Sequence, residues 1–292
     1  MLIQRERGSW WDHPRWPRWT PLLAAVLAPV IVGTGVTARY RVVPADKAVA
    51  ALAVALLIGI GVDRLRTSSR GAGTSTSQIA GWIPLAQPAG LTLLMLLLAA
   101  VLGAWLAATT AWWLLIFGAV GVAGALWIFA SPTRGGTGQL APLLGVAAIQ
   151  LLAAWGTVWV ELGRLPWLGV LAAVLPASLA AGLWLALPRN SAPMPASFRN
   201  GGRSELGDRG IRTLFHGLLI LALAVPLVIA VSGLGRAECF LPWLLAPLGE
   251  GPLRNFGSAE PKRRLRAVRQ LAALFLASAA LLAVGIWTGG NR

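Results

Sequence analysis

Nine apolar runs, each bounded by charged residues, proline or glycine, constrain the fold of this chain more than any other feature. A bilayer core about 30 Å thick requires about 20 apolar residues in an α-helix that crosses it. A soluble domain would not combine a mean hydropathy of +0.70 with only 12% charged residues. We therefore predict an all-α integral membrane protein with nine transmembrane helices, at residues 21–38, 47–62, 85–107, 110–130, 141–161, 166–187, 212–234, 239–249 and 267–288.

Two of these helices have special features. The third and fourth are separated by little more than Thr109 and Thr110, which predicts a tight helical hairpin. The eighth, which includes PWLLAPLGE, is too short to span alone, and we interpret it as a tilted, interrupted helix that continues toward Arg254.

The chain divides into three parts around these helices. The opening segment is charged and aromatic and lacks the apolar core of a cleavable signal peptide, so we expect it to lie at the membrane interface. We predict a cytoplasmic interfacial segment over 1–20, a single transmembrane domain over 21–288 and a short tail over 289–292.

The distribution of positive charge supports this topology, because cytoplasmic loops collect lysine and arginine. With the N-terminus placed inside, 19 of the 25 basic residues fall on the cytoplasmic side and six on the other. The net charge of +15 thus lies beside membrane spans, which favours anionic lipid over nucleic acid as a partner. We expect a multi-pass protein of the cell inner membrane that binds no nucleic acid. The lone Cys239 excludes an intrachain disulfide and a thiolate metal site.

Two long polar segments on the predicted cytoplasmic side, residues 63–84 and 188–211, are the natural places for a site that several helices share. The second contains PRNSAPMPASFRNGGRSELGDR, which is rich in arginine and poor in acids. Its three prolines disfavour a continuous helix, so its backbone must be buried in protein or face water.

The chain resembles the UbiA superfamily of intramembrane prenyltransferases, and within it the 1,4-dihydroxy-2-naphthoate polyprenyltransferases of menaquinone biosynthesis. The resemblance covers nearly the whole chain. It is carried by RWPRWTPLLAAVLAPVIVGTG, AWWLLIFGAVGVAGALW, GTVWVELGRLPWLGVLAAVLPASLAAG and LGDRGIRTLF, which are similar to the first, fourth, fifth-to-sixth and seventh helix regions of the family. It implies a nine-helix bundle with a cytoplasmic N-terminus, and transfer of a polyprenyl chain from its diphosphate to an aromatic acceptor.

The resemblance also implies magnesium ligands that the first polar segment lacks. The family carries N-D-x-x-D there, whose carboxylates hold Mg²⁺ against the diphosphate. When the segment is aligned on Arg70 and Gly71, Asp63 takes the asparagine position. Arg64 and Thr67 then take the positions of the two aspartates.

The second polar segment departs from the family in the same way. Alignment on LGDR places Asn190 and Met194 at the two positions of its D-x-x-x-D motif. All four carboxylates are therefore replaced, and we expect no cofactor, with Mg²⁺ required only if catalysis is retained. Glu205 and Asp208 are nearby acids, but both flank the start of the seventh helix, where the helix dipole stabilises a carboxylate.

Arginines remain in both polar segments, and two interpretations of them stay open. A guanidinium group matches phosphate oxygens with two parallel hydrogen bonds, so these residues could bind a diphosphate or a lipid head group. The same arginines are also what the positive-inside rule predicts for any cytoplasmic loop. The candidates are Arg64, Arg66, Arg70, Arg189, Arg199 and Arg203.

The sequence thus leaves two functional hypotheses. In the first, the protein is non-catalytic and binds an isoprenoid quinone, a prenyl diphosphate or a membrane lipid, alone or as a subunit of a membrane protein complex. In the second, it is an active prenyltransferase that joins a polyprenyl diphosphate to an aromatic acceptor in menaquinone biosynthesis.

Overall fold

The computed structural model describes residues 20–70, 88–130, 140–186, 208–249, 251–252 and 261–289. All regular structure in these ranges is helical, which confirms the all-α prediction for this part of the chain. A 3₁₀ helix (Ala237–Gly249) lies between the last two α-helices. The α-helices are α1 (Thr20–Tyr40), α2 (Ala45–Arg70), α3 (Pro88–Thr109), α4 (Leu114–Ala130), α5 (Leu140–Leu162), α6 (Trp167–Ala172), α7 (Val174–Ala186), α8 (Asp208–Val231) and α9 (Pro261–Thr288).

Six segments of the described chain are long and apolar enough to cross a membrane. Large apolar side chains on their outer faces are exposed, for example Leu93 at 67% on α3 and Ile220 at 67% on α8. Lipid tails cover such faces at no cost, so the structure is that of an integral membrane helical bundle. The six segments are Leu23–Tyr40, Leu91–Thr109, Leu143–Leu162, Trp167–Leu185, Arg212–Val231 and Arg266–Thr288.

The remaining three predicted spans correspond to α2, α4 and the 3₁₀ helix. None of these three meets the same criterion within the described residues. A count of nine spans, with the N-terminus inside, therefore stays a prediction.

Helix α2 extends well beyond the apolar run that predicted it. The run ends at residue 62, but the helix continues to Arg70, so the first part of the polar segment 63–84 is helical and not a loop. Residues 63–70 contain no proline or glycine, and Gly71 follows directly. Polar residues tolerate a helix that has already nucleated in the apolar run, so α2 continues past the first charged residue.

The predicted sixth helix is two consecutive helices, α6 and α7. Ala173 separates them and keeps right-handed helical angles, with φ −65° and ψ −21°. Pro176 has no N–H group to donate to the carbonyl of Ala172 four residues earlier, which accounts for the break at this point.

Consecutive segments alternate in direction, so the helix ends sort into two groups. The short connections 41–44, 110–113, 163–166 and 232–236 lie at one end, which we call the short-loop end. The contacts of α1 show this arrangement, since Gly33 near the end of α1 faces Thr157 near the end of α5. The opposite, long-loop end holds the end of α2 and the start of α8, where the predicted site residues lie.

The predicted hairpin between α3 and α4 is confirmed. Helix α3 ends at Thr109, whose hydroxyl group donates to the backbone carbonyls of Trp105 and Leu106. Helix α4 starts at Leu114 after a four-residue turn, and Lys47 of α2 donates to the Thr110 hydroxyl group at 3.0 Å. These polar contacts occur at the short-loop end, where the chain leaves the apolar region.

The 3₁₀ helix runs back along α8 from the short-loop end. Pro242 and Pro247 remove two backbone donors from it, which is consistent with the interrupted helix predicted for this run. Trp243 donates its indole N–H to the carbonyl of Leu223 on α8 at 2.9 Å. Cys239 at its start is buried and unoxidised, in agreement with a small apolar filler.

Helix α1 is the centre of the bundle, and glycines set its distance from its neighbours. A Cβ atom added at Gly35 would lie 2.5 Å from Ala283 Cβ on α9. One added at Gly33 would lie 2.8 Å from Thr157 Cβ on α5. Real Cβ atoms do not approach that closely, so α1 reaches both helices only because these positions carry no side chain.

We expect Gly35→Ala to destabilise the protein by about 1–3 kcal/mol, because the added methyl group must push α1 away from α9. Gly103→Ala on α3 is the matched control, since nothing lies within 4 Å of its added Cβ atom. The control should unfold at the same or a higher temperature, because alanine favours a helix over glycine. Thermal unfolding in detergent measures both, and equal melting temperatures for the two variants would contradict this packing of α1 on α9.

Candidate functional site

The structure places part of the predicted site on the last turns of α2. Asp63, Arg64, Arg66, Thr67 and Arg70 all lie on this helix, at the long-loop end. Because this part of the chain is helical, the relative positions of these residues are fixed. They would not be fixed in the loop that the sequence predicted. The other predicted site residues lie outside the described part of the chain, namely Arg189, Asn190, Met194, Arg199 and Arg203.

Helical spacing divides the α2 positions into two groups. At 3.6 residues per turn, positions 63, 66, 67 and 70 fall within an arc of about 100°, whereas position 64 lies about 100° from position 63. The arc is roughly opposite Gly61, which packs against Leu96 of α3. Two arginines, one aspartate and one threonine therefore occupy positions on one arc of α2.

These residues do not fit the magnesium ion that the resemblance implies. Magnesium selects carboxylate and phosphate oxygens in octahedral geometry. Asp63 is the one carboxylate between residues 61 and 78, and an arginine and a threonine occupy the ligand positions after it. In the described residues, no group of three or more His, Cys, Asp or Glu side chains could hold a metal ion.

Helix α9 contributes further positive charge at the same end. Arg263, Arg266 and Arg269 follow one another at intervals of three residues near its start, and so lie on one side of the helix. The Nε atom of Arg269 and the Oε1 atom of Gln270 are buried and have no hydrogen-bond partner among the described residues. The sequence prediction counted Arg269 only among the basic residues on the cytoplasmic side. Its spacing of three residues from Arg266, and of Arg266 from Arg263, was nevertheless visible in the sequence.

A second polar cluster lies at the short-loop end, around Glu161 of α5. Its side chain is 0% exposed, and its Oε1 atom accepts a hydrogen bond of 2.8 Å from the Thr34 hydroxyl group of α1. The Thr37 hydroxyl group lies next to the same carboxyl group. Thr37 Oγ1 and Glu161 Oε2 are both buried without a hydrogen-bond partner in the described residues. Such a cluster inside a membrane bundle is costly to bury, so a role in the protein is expected for it.

The end of α5 explains the position of Glu161. Gly163 adopts φ 77° and donates its N–H to the carbonyl of Trp159 at 2.8 Å. This contact ends α5 at Leu162, directly after Glu161. Gln150, Thr157 and Glu161 are spaced by seven and four residues and are all buried. They form one polar stripe along α5, directed into the bundle.

Sequence reasoning missed Glu161, although a signal was present. It is the one acidic residue within the nine apolar runs. An acid in such a run is expensive unless it has a partner, so the residue deserved a structural or functional hypothesis. Its partner could not be found from spacing, because Thr34 is 127 residues away in the chain.

Comparison with known proteins gives two relatives of nearly full length. The chain is 30% identical over 264 residues to the 1,4-dihydroxy-2-naphthoate octaprenyltransferase of Mycobacterium tuberculosis, with 85% of each chain covered. It is 29% identical over 230 residues to the protein of the same name from Mycobacterium leprae, with 72% of this chain and 75% of the relative covered. No protein-family model matches the chain.

We expect Glu161→Ala to lower the free energy of unfolding by about 1–3 kcal/mol, because it leaves the half-buried Thr34 hydroxyl group without its acceptor. Glu161→Gln should cost less, since the amide oxygen can still accept that hydrogen bond. Adding Thr34→Val to each variant gives a double-mutant cycle, measured by denaturant unfolding in detergent. A Glu161→Ala protein as stable as the parent would show that the contact contributes nothing.

Proposed function

The chain belongs to the 1,4-dihydroxy-2-naphthoate octaprenyltransferase family of the UbiA superfamily, and from this premise we propose that it binds a prenyl diphosphate without transferring the prenyl chain. The proposal is supported by the residues at positions 64, 67, 190 and 194, where alignment with the family places the motif aspartates and this chain has Arg64, Thr67, Asn190 and Met194. The binding site is the long-loop end of the bundle.

The chemistry of prenyl transfer explains why this replacement matters. When the carbon–oxygen bond to the diphosphate breaks, negative charge builds up on the leaving group and must be stabilised. Members with the aspartate motifs use magnesium for this, and none of the four replacement side chains supplies a carboxylate. A guanidinium group about 4 Å from a metal ion would repel each unit of its charge by about 4 kcal/mol at an effective dielectric of 20. The retained site is therefore suited to an anion but not to a divalent cation.

The arginines supply the binding chemistry in this proposal. Arg66 and Arg70 lie one turn apart on the same face of α2, and Arg269 on α9 has a buried Nε atom without a hydrogen-bond partner in the described chain. Arginine forms charge-assisted hydrogen bonds to phosphate oxygens that are about twice as strong as neutral ones. A diphosphate at this end would leave its prenyl chain among the apolar helices.

An isoprenoid quinone or a membrane lipid is a further ligand class that the same apolar bundle would accept. We place the protein in the cell inner membrane, since its relatives are named as enzymes that act on a prenyl chain. A non-catalytic member would act by holding its ligand for another protein, as a subunit of a membrane complex.

The second candidate function is active prenyl transfer in menaquinone biosynthesis. It is favoured by one observation, the similarity to an octaprenyltransferase over 85% of both chains. In that case, arginines would stabilise the departing diphosphate, and Asp63 would be the one acid available in the first motif.

We expect the purified protein to give no prenylated product with a polyprenyl diphosphate, Mg²⁺ and 1,4-dihydroxy-2-naphthoate. The product is followed by mass spectrometry, and the Mycobacterium tuberculosis relative is the positive control. Product formation that stops on addition of a chelator would overturn the non-catalytic proposal and establish the second candidate.

The same diphosphate should raise the melting temperature of the protein in the presence of a chelator, because arginine binding needs no metal. We expect Arg66→Gln with Arg70→Gln to weaken this binding about tenfold or more, as each lost charged hydrogen bond contributes about 1.5–3 kcal/mol. Arg164→Gln, a cation at the short-loop end that stacks on Tyr40, is the matched control and should leave the affinity unchanged. Equal affinity for all three proteins would exclude α2 from the site.

A further inference from the structure

An apolar groove lies on the membrane-facing side of α1, near the short-loop end and thus away from the proposed diphosphate site. It has a volume of about 410 Å³ and lies between α2 and α9, with α1 as its floor. Its lining includes Val30, Ala38, Val49, Leu52 and Trp287. From Val30 to Ala38 the groove follows α1 for about 12 Å, a length that suits one segment of a hydrocarbon chain.

A second cavity, which carries positive charge, lies beside the groove. This cavity, of about 560 Å³, is lined by Arg39, Tyr40 and Arg41 among others, and shares Ala38 and Trp287 with the groove. The Nη1 atom of Arg39 is buried and has no hydrogen-bond partner in the described part of the chain. A buried donor on a guanidinium group is costly unless an acceptor reaches it.

An acid attracts Arg41, but this acid does not provide a hydrogen-bond acceptor for the Nη1 atom of Arg39. This acid is Glu161, whose carboxyl group is fully buried on α5, bonds to Thr34 and does not line the cavity. The cavity therefore presents two arginines next to the groove, and its lining contains no acid. The short-loop end otherwise holds few basic residues, so the positive-inside rule does not account for this pair.

We propose that the groove and the cavity together bind one molecule of an anionic phospholipid, with an acyl chain along α1 and the phosphate group on Arg39 and Arg41. The acyl chain gains little by moving from the bilayer to the groove, because both surroundings are apolar. Selection therefore comes from the head group, through charge-assisted hydrogen bonds between guanidinium and phosphate. Tyr40 and Trp287 lie at the level of the head group, where aromatic rings are favoured.

The lipid holds α1, α2 and α9 together at this end. Residues of all three helices line the groove, so an occupant contacts each of them. This site is separate from the family's substrate chemistry, and its ligand belongs to the membrane and not to the reaction.

The test is lipid retention by the full chain, reconstituted in nanodiscs of mixed phosphatidylglycerol and phosphatidylcholine, extracted and measured by native mass spectrometry. We expect one phosphatidylglycerol per chain, enriched over its share in the nanodisc. Arg39→Gln with Arg41→Gln should reduce this enrichment about tenfold, and Arg39→Lys with Arg41→Lys should restore part of it. Lys47→Gln is the matched control, because Lys47 lies at the same end but bonds to Thr110.

Two further measurements distinguish a phospholipid seated in the groove from a phosphate group bound by the arginines alone. Ala48→Leu fills the groove without removing charge, and should reduce retention of both lipids. Glycerol phosphate, the head group without a chain, should not raise the melting temperature, whereas phosphatidylglycerol should. The proposal fails if both lipids are retained in proportion to their supply, if the glutamine double variant behaves like the Lys47→Gln control, or if glycerol phosphate alone gives the full stabilisation.

Discussion

The bundle depends on the close approach of α1 to α5 and α9. Gly33 and Gly35 let the backbone of α1 meet Thr157 and Ala283 without a side chain between them. Helices in a membrane gain no hydrophobic energy by associating, because lipid is as apolar as their own surfaces, so close packing must supply the attraction. The hydrogen bond from the Thr34 hydroxyl group to Glu161 depends on this approach, because it brings the part of α1 that carries Thr34 against α5.

The two ends of this packed bundle differ in their chemistry. At the long-loop end lie the last turns of α2, with Arg64, Arg66 and Arg70, and the first turns of α9, with Arg263, Arg266 and Arg269. At the short-loop end, tight turns bring together a buried acid, two threonines and two arginines around α1. The close contacts of Gly33 and Gly35 are with Ala154 and Thr157 of α5 and with Ala283 of α9. The packing of α1 at these two glycines therefore does not involve positions 63, 64 and 67 of α2.

Much of the fold follows from the sequence, because a membrane span needs only an uninterrupted apolar run. Helices α1 and α5 match their predicted runs closely, and the hairpin after Thr109 was visible from two threonines between apolar stretches. The departures have local causes. The run that predicted α2 stops at the first charge, whereas the helix continues through polar residues to Arg70. Pro176 divides α6 from α7 without changing the hydropathy. At the candidate site, the resemblance to the family implied the motif substitutions, but the partner of Glu161 is a distant contact that no local pattern contains.

The geometry of the 3₁₀ helix changes what its sequence length means. A 3₁₀ helix rises about 2.0 Å per residue, compared with about 1.5 Å in an α-helix. Its 13 residues therefore reach about 26 Å, not far short of a hydrocarbon layer of about 30 Å. With its two prolines, the segment forms a 3₁₀ helix that is longer than an α-helix of the same number of residues. A minimum span length counted in α-helical residues therefore underestimates how much of the bilayer such a proline-rich segment can cross.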